Sequence, residues 1–292
     1  MPEAQKSSDI GMKRGRAIAN LPANRQLDLI AEGLPILMKS ADDLFDAAKE
    51  TTAHPRASKI LERHGLEEAA KILILMDIVR CPPKVRPSRI GPMMAWFYEH
   101  LPRLLYIEAQ DWRPMDLNDL RTYVDQQRRS HYLEGHIGEY ILPNSTISDR
   151  ESLLYADIIA YEEGDPIWSS PSYDDPVSPL FPRYPSPWKT CQGLQAVGAF
   201  TRTGLDIVSS TWAAVDFSGA ESFREAADLT YRTLVGLEGA KLITEHATDE
   251  QAKHLMHRWQ LPMYRLDFRR IDVPIEELRE QREANLWAEA GC

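Results

Sequence analysis

The chain has 292 residues, of which 43% are hydrophobic and 27% charged, as in a globular protein with its own apolar core. Its formal net charge of −10 excludes a protein that coats nucleic acid non-specifically, but not a local basic site on an acidic body. Three widely spaced cysteines form no metal-finger motif, and no apolar run is long enough for a signal peptide or a membrane span. We therefore expect a cytoplasmic protein with reduced thiols and no membrane partner.

Helical periodicity dominates the first half of the chain. Apolar residues recur at three- and four-residue steps in several stretches. Pro35 predicts a kink or break in the first of them, and Pro102 an interruption in the third. Ser58 is a candidate N-cap for the second, and the sequence from Ser148 to Glu151 fits a capping box for the fifth. The predicted helices cover residues 24–50, 60–80, 93–110, 117–132 and a stretch starting at 148, with a short extended segment within 135–144.

Residues 165–189 differ from the rest because prolines and aromatic residues crowd together there. Such a stretch does not form a helix, and we expect it to wrap the surface in extended form and bury its rings. Beyond it, helices are predicted over 191–215, 222–246, 249–259 and 275–290. The fold class is therefore all-α, a helical bundle over 1–164, a connector over 165–189 and further helices over 190–292, which pack on the bundle or form a second domain.

The helix over 60–80 is apolar on nearly all sides in its second half, as a buried central helix is. Charged residues stand at its beginning: His64, Glu68 and Lys71 share one face, and Glu67 and Lys71 have the favourable i, i+4 order of an ion pair. One interpretation is a surface pair of Glu67 with Lys71. The other is an inward polar cluster, since sites in helical bundles are built from facing helices.

Further candidates combine histidine with arginine. His100 and Arg103 lie one helical turn apart beside Pro102, and they suit a general acid–base and an anion clamp; an ordinary histidine near a proline kink is the alternative. Arg129 and His136 fit the loose Arg-x(4–6)-His spacing of the HEPN ribonucleases, a spacing that also arises by chance. No metal or cofactor is expected, because neither a nucleotide-binding loop nor a zinc motif is present and the pair His254 and His257 lacks further ligands.

The segment from His64 to Lys71, with its Glu-Glu-Ala-Ala-Lys sequence after Leu-rich helices, resembles the AbiV-type abortive infection proteins. The resemblance covers the first half of the chain and extends to the segment 97–103, to 132–135, and to Arg150 and Glu151. It implies a HEPN-like helical fold, a homodimer, and a role in defence against phage. The chain departs from the family pattern in lacking an Arg-Asn-x-x-x-His motif.

Two functions follow as hypotheses. The first is a defence effector or toxin, a metal-independent ribonuclease acting on RNA or the translation apparatus. Its catalytic residues are His100 and Arg103, with His64, Glu68 and Lys71 as neighbours, or alternatively Arg129 and His136. The second is a non-catalytic binding or sensor protein in a defence or toxin–antitoxin system, whose protein partner docks through residues 165–189. A metal or small-molecule site in the bundle core is a third interpretation.

Overall fold

A computed structural model describes residues 17–160, 165–171 and 186–290 of the chain. The described structure is mostly helical, with two small two-stranded sheets, so the predicted helical class is confirmed. The helices before the sheets are α1 (Ala23–Glu50), α2 (Pro55–Arg80), α3 (Arg86–Tyr98), α4 (His100–Asp111) and α5 (Leu117–Gln127). The remaining helices are α6 (Ser145–Leu154), α7 (Ser186–Ala196), α8 (Arg202–Trp212), α9 (Phe223–Gly239), α10 (Asp249–Arg258) and α11 (Ile275–Glu289).

Both sheets are antiparallel hairpins. Strand β1 (His131–Glu134) pairs with β2 (Tyr140–Pro143), and β3 (Asp157–Ile159) pairs with β4 (Ile167–Ser169). The extended segment predicted within 135–144 corresponds to β2, whereas the helix predicted over 117–132 ends at Gln127 and its last residues enter β1. The second hairpin was not predicted from the sequence.

Helix α2 is the centre of the core, and every residue from Ile72 to Arg80 is buried. It packs along α1, where Gly65 permits the approach: a Cβ there would lie 3.0 Å from the ring of Phe45. On its other sides α2 contacts α4, α7 and α8, so residues from both halves of the chain line one continuous apolar core. Trp188 joins this core from α7 and stacks on Phe45 with ring centroids 4.9 Å apart.

Several predicted helix boundaries were wrong. Helix α1 runs on through Pro35, so the break into two helices, one of the two alternatives predicted there, does not occur. Helix α2 begins at Pro55, and the hydroxyl of Ser58 donates to the carbonyl of Ala48 instead of capping α2. The stretch 93–110 forms two helices, α3 and α4, because the backbone is extended at Glu99.

Later boundaries also shift. Helix α6 begins at Ser145, where the side chain of Asn144 accepts from Ile147 N–H, so the predicted cap at Ser148 was wrong. The stretch 191–215 divides into α7 and α8 at Gly198, whose φ of 77° favours glycine and whose Cβ would meet the Leu242 carbonyl oxygen.

The proline-rich stretch 165–189 lies partly outside the described residues, which omit 172–185. Its beginning forms β4, where Trp168 is 76% exposed, so that ring is not buried as predicted. Its end lies in the first turn of α7, where Pro187 is tolerated because the first N–H groups of a helix have no partner within it.

A closed polar network lies inside the core. Asp77 accepts hydrogen bonds from the Arg80 guanidinium, from the Tyr106 hydroxyl and, at 2.8 Å, from the backbone N–H of Met263. Arg80 also donates to the carbonyl of Gln260 at 2.8 Å. Burial and the charge of Asp77 raise the pKa of Tyr106 well above its ordinary value, so its hydroxyl stays a donor. The network fastens the segment after α10 to α2 and α4.

The Arg80 guanidinium is also enclosed by aromatic rings. It lies 4.3 Å from the ring centroid of Trp259 and 4.7 Å from that of Trp212. Cation–π contacts and full hydrogen bonding together offset the cost of removing this charge from water. None of the helices in the described ranges is apolar over a length that would cross a lipid bilayer.

Candidate active site

A second polar cluster is built around Glu67, near the beginning of the buried part of α2. Its side chain is only 6% exposed, and a buried carboxylate is costly unless it is paired. Its partners come from two other helices: Arg103 Nη2 at 2.6 Å, His100 Nδ1 at 2.8 Å and Arg150 Nε at 3.5 Å. We call these four residues the Glu67 cluster.

Helix α4 supplies two of the partners because of the chain break at Glu99. The extended backbone there makes His100 the first residue of α4 and puts Arg103 one turn later, on the same face. Pro102 falls within the first turn, where its missing N–H costs no intrahelical hydrogen bond. The interruption predicted near Pro102 therefore precedes it, and it aims both side chains at α2.

Helix α6 supplies Arg150. Its start is capped by Asn144, whose amide group donates to the carbonyls of Gln127 and Arg129 at 2.7 and 2.8 Å. Its end is held by Arg56 of α2, which donates to the last carbonyls of α6. Helix α6 is thus fixed at both ends, and the Arg150 side chain, which is 14% exposed, lies between Glu67 and Glu151.

Three atoms form a triangle at the Nδ1 side of His100. Arg103 Nη2 lies 2.8 Å from His100 Nδ1, and both nitrogens contact the same oxygen of Glu67. A proton on Nδ1 is donated to the carboxylate, whereas a bare Nδ1 accepts from the Arg103 guanidinium. In both cases these contacts hold the ring by Nδ1 and leave Nε2 directed away from the carboxylate.

The Glu67 cluster is open where the Asp77 network is closed. The His100 side chain is 52% exposed, and its Nε2 has no partner among the residues that the structure describes. Arg103 Nε is buried and has no hydrogen-bond partner within the same residues. Two guanidinium groups and an imidazole face Glu67, and Arg150 also pairs with the carboxylate of Glu151. The arrangement places a base beside two guanidinium groups, which are suited to contact an anionic substrate.

The residues predicted as neighbours of His100 and Arg103 make fewer contacts with the Glu67 cluster. Lys71 pairs with Glu68 at 2.5 Å and lies 5.6 Å from the ring centroid of Phe97, so the predicted pair of Glu67 with Lys71 does not form. His64 is half-buried and makes no hydrogen bond or ion pair with any described residue. Of the predicted site residues, the structure brings together His100 and Arg103. Glu67 faces inward and contacts both, as in the inward polar cluster that was one interpretation of the sequence, and Arg150 joins them.

The alternative catalytic pair, Arg129 and His136, is not brought together by the structure. Arg129 precedes β1 and its backbone forms a bridge with Ile271. His136 lies in the exposed turn between β1 and β2 and lines an open cavity of about 530 Å³ against α11. Arg129 is not part of that lining, and no hydrogen bond or ion pair joins the two side chains in the described part of the chain.

A further acid stands two turns along α4. Burial raises the pKa of Glu108 to about 7, against the opposing effects of Arg63 and of the Thr146 hydroxyl, which lies 2.9 and 3.0 Å from its two oxygens. Asp149 of α6 adds a smaller raising effect. Glu108 therefore links α4 to α6, the two helices that bring His100, Arg103 and Arg150 to Glu67.

The histidine pair of α10 shows no metal geometry. His254 Nε2 lies 3.1 Å from Thr190 Oγ1 and 3.2 Å from the carbonyl of Ser186, and His257 is exposed. Within the described ranges, no three His, Cys, Asp or Glu side chains are grouped so as to hold a metal ion.

Sequence reasoning missed Arg150 as a site residue and misjudged the partner of Glu67. The signals for Arg150 were its place in the polar start of a helix, where arginines are common, and the extension of the family resemblance to Arg150 and Glu151. No family model matches the chain, and no curated protein or solved structure is significantly similar to it.

Proposed function

We propose that the Glu67 cluster is a metal-independent site that cleaves RNA, and that the protein is a defence effector or toxin of the AbiV and HEPN-like type. The observation that carries the chemical part is the half-exposed His100, whose Nδ1 is held by a buried carboxylate while its Nε2 is open. This is the geometry of an oriented general base. The defence role and the homodimer rest on the resemblance of the first half of the chain.

The proposed reaction needs only side chains of the cluster. His100 Nε2 takes the proton of a ribose 2′-hydroxyl, and the 2′-oxygen attacks the neighbouring phosphorus. The bond from phosphorus to the 5′-oxygen breaks, and His100 returns the proton to that leaving oxygen. The products are a 2′,3′-cyclic phosphate and a free 5′-hydroxyl. Arg103 and Arg150 stabilise the negative charge on the phosphorus oxygens during the transfer.

The test compares cleavage of total RNA and of tRNA by the wild type, by His100→Ala and by His136→Ala. We expect cleavage by the wild type and by His136→Ala in the presence of EDTA, and a loss of about 100-fold or more in His100→Ala. Equal activity of His100→Ala and the wild type would contradict the assignment of His100 to the active site. Inactive wild-type protein would contradict the proposed ribonuclease activity. Light scattering coupled to size exclusion tests the homodimer separately.

A second function, non-catalytic protein binding, is favoured by the hairpin β3–β4. Ile158 and Trp168 are paired across the two strands, and their side chains are 54% and 76% exposed. Exposed apolar pairs of this kind mark interaction surfaces. If this is the function, Trp168→Ala abolishes binding to a partner copurified from the native host, and His100→Ala leaves that binding unchanged. Retention of the partner by Trp168→Ala contradicts it.

A further inference from the structure

The connection between α4 and α5 lies against the end of α10, at the opposite end of α4 from His100. The side chain of Gln110 donates to the carbonyl of Arg258 at 2.8 Å, and Gln260 donates to the carbonyl of Trp112 at 2.8 Å. These two hydrogen bonds hold Trp112 and the following Arg113 beside Arg258.

Helix α7 approaches the same place from another side. His254 lies one turn before Arg258 on α10, and its ring contacts Thr190 and the carbonyl of Ser186, both in the first turn of α7. Lys189 belongs to that turn and is exposed. Three separate segments therefore bring Arg113, Lys189, His254 and Arg258 to one surface.

The basic groups of this surface lie close enough to act on one another. Partial desolvation and then the charge of Arg258 lower the pKa of Arg113, with Asp111 as the opposing carboxylate. Desolvation also lowers the pKa of His254, with Lys189, Arg258 and Arg113 adding to the effect. As far as the structure describes the chain, none of the four makes an ion pair. Arg113, Lys189 and Arg258 thus bring positive charge together, against Asp111, on a chain of net charge −10, and this points to an anionic ligand.

The residue before Arg113 carries an exposed aromatic ring. Trp112 is 41% exposed, and its ring stacks on Tyr123 with centroids 4.5 Å apart and an interplanar angle of 7°. The partner ring fixes the orientation of the indole while leaving much of it open to solvent. A fixed aromatic face beside unpaired cations is the arrangement by which proteins bind single-stranded nucleic acid, through base stacking and phosphate contacts.

We infer that Trp112, Arg113, Lys189, His254 and Arg258, here called the Trp112 surface, bind single-stranded RNA. A base stacks on Trp112, and the cations contact the phosphates on either side. The choice of RNA rests on the proposed function. The surface lies about 17 Å along α4 from His100, given the rise of an α-helix, so it holds the strand away from the reacting phosphate.

The test measures fluorescence anisotropy of a labelled single-stranded oligouridylate in a His100→Ala background, which keeps the probe intact. The double variant Arg113→Ala/Arg258→Ala is expected to bind about tenfold or more weakly, with a salt slope shallower by about 1.4. The control Lys84→Ala/Arg224→Ala removes two exposed cations outside the Trp112 surface, and it should bind as the parent does. Thermal melts establish that each variant is folded.

The variant Trp112→Ala distinguishes RNA from polyanions in general. Loss of stacking should weaken binding roughly 5- to 150-fold with an unchanged salt slope, and Trp112→Phe should restore most of the affinity. Equal weakening in the double variant and its control overturns the inference, as does unchanged binding in Trp112→Ala or no binding by the parent at low salt. Binding that depends on the Trp112 surface without any cleavage by the wild type refutes the proposed enzyme alone; cleavage with unaltered binding in the surface variants refutes this inference alone.

Discussion

Asp77 and Glu67 are buried carboxylates on the same helix, α2, and both receive partners from α4. Every oxygen of Asp77 is engaged by protein donors, and its arginine partner is enclosed by two tryptophan rings. Glu67 also has several partners, but one of them, His100, reaches solvent, and another, Arg103, has an Nε without a hydrogen-bond partner among the described residues. A closed network stabilises the fold, whereas an open one retains groups that a ligand can use.

The largest expected effect is on the closed network. Asp77→Ala leaves the guanidinium of Arg80 buried without its carboxylate, and it also removes the partner of Met263 N–H. We expect the free energy of unfolding to fall by about 3–5 kcal/mol. Urea denaturation followed by circular dichroism measures it. Asp43→Ala, which removes the exposed partner of Lys39, is the control and should cost less than about 1 kcal/mol. Equal costs in the two variants would show that the Asp77 network does not stabilise the fold.

In the Glu67 cluster, a substitution should affect cleavage much more than stability. His100→Gln removes a half-exposed side chain, so we expect the free energy of unfolding to change by less than about 1 kcal/mol. Cleavage of RNA should fall by about 100-fold or more, since glutamine cannot exchange a proton. Initial rates and urea denaturation on the same preparation measure both. A large loss of stability with little loss of cleavage would make the Glu67 cluster a second structural network.

Glu108 offers a test by pH. Its pKa in the folded protein is about 7, above the ordinary value of 4.5, so the folded state retains a proton that the unfolded state loses. The cost of ionising Glu108 in the folded protein therefore lowers the free energy of unfolding as pH rises from about 4.5 to 7, by on the order of 3 kcal/mol in total. Glu108→Gln removes this effect while its amide oxygen still accepts from Thr146.

The measurement is urea denaturation of the wild type and Glu108→Gln at pH 5 and pH 8. The variant should gain stability relative to the wild type at pH 8, and much less at pH 5. The same difference at both pH values would show that Glu108 is ionised throughout and that burial does not hold its proton.

The smallest effect is expected at the edge of the cluster. Lys71→Ala removes a partly exposed pair with Glu68 and a contact with Phe97, so the free energy of unfolding should fall by about 1 kcal/mol or less. RNA cleavage should stay at the wild-type rate, because Lys71 does not contact the Glu67 cluster. A loss of cleavage as large as that of His100→Gln would place Lys71 in the active site.

The helices were predictable from sequence because their apolar periodicity is strong, but their ends were not. Asn144 and Ser148 are equally good capping residues by local rules. Asn144 caps α6 because its amide also donates to the carbonyls of Gln127 and Arg129, which are distant in sequence. The second hairpin was missed because strands as short as β3 and β4 give hardly any alternation pattern.

Only those relations within the site that join residues close in sequence were predictable. His100 and Arg103 share a helix face, and that follows from their spacing. The direction of the Glu67 side chain does not follow from spacing. The i, i+4 rule paired Glu67 with Lys71, whereas packing of α4 and α6 against α2 supplies three other partners. Arg150 stands 83 residues from Glu67, and no local pattern connects them.

The hydrogen bond from Met263 to Asp77 also bears on how the protein is made. A nascent chain that lacks residues 260–263 holds a carboxylate and a guanidinium in its central helix without the backbone groups that complete their solvation. Folding of the core is therefore coupled to the presence of residues 260–263, which lie far along the chain from Asp77 and Arg80. A purified chain truncated before residue 260 should be more sensitive to protease than the full chain.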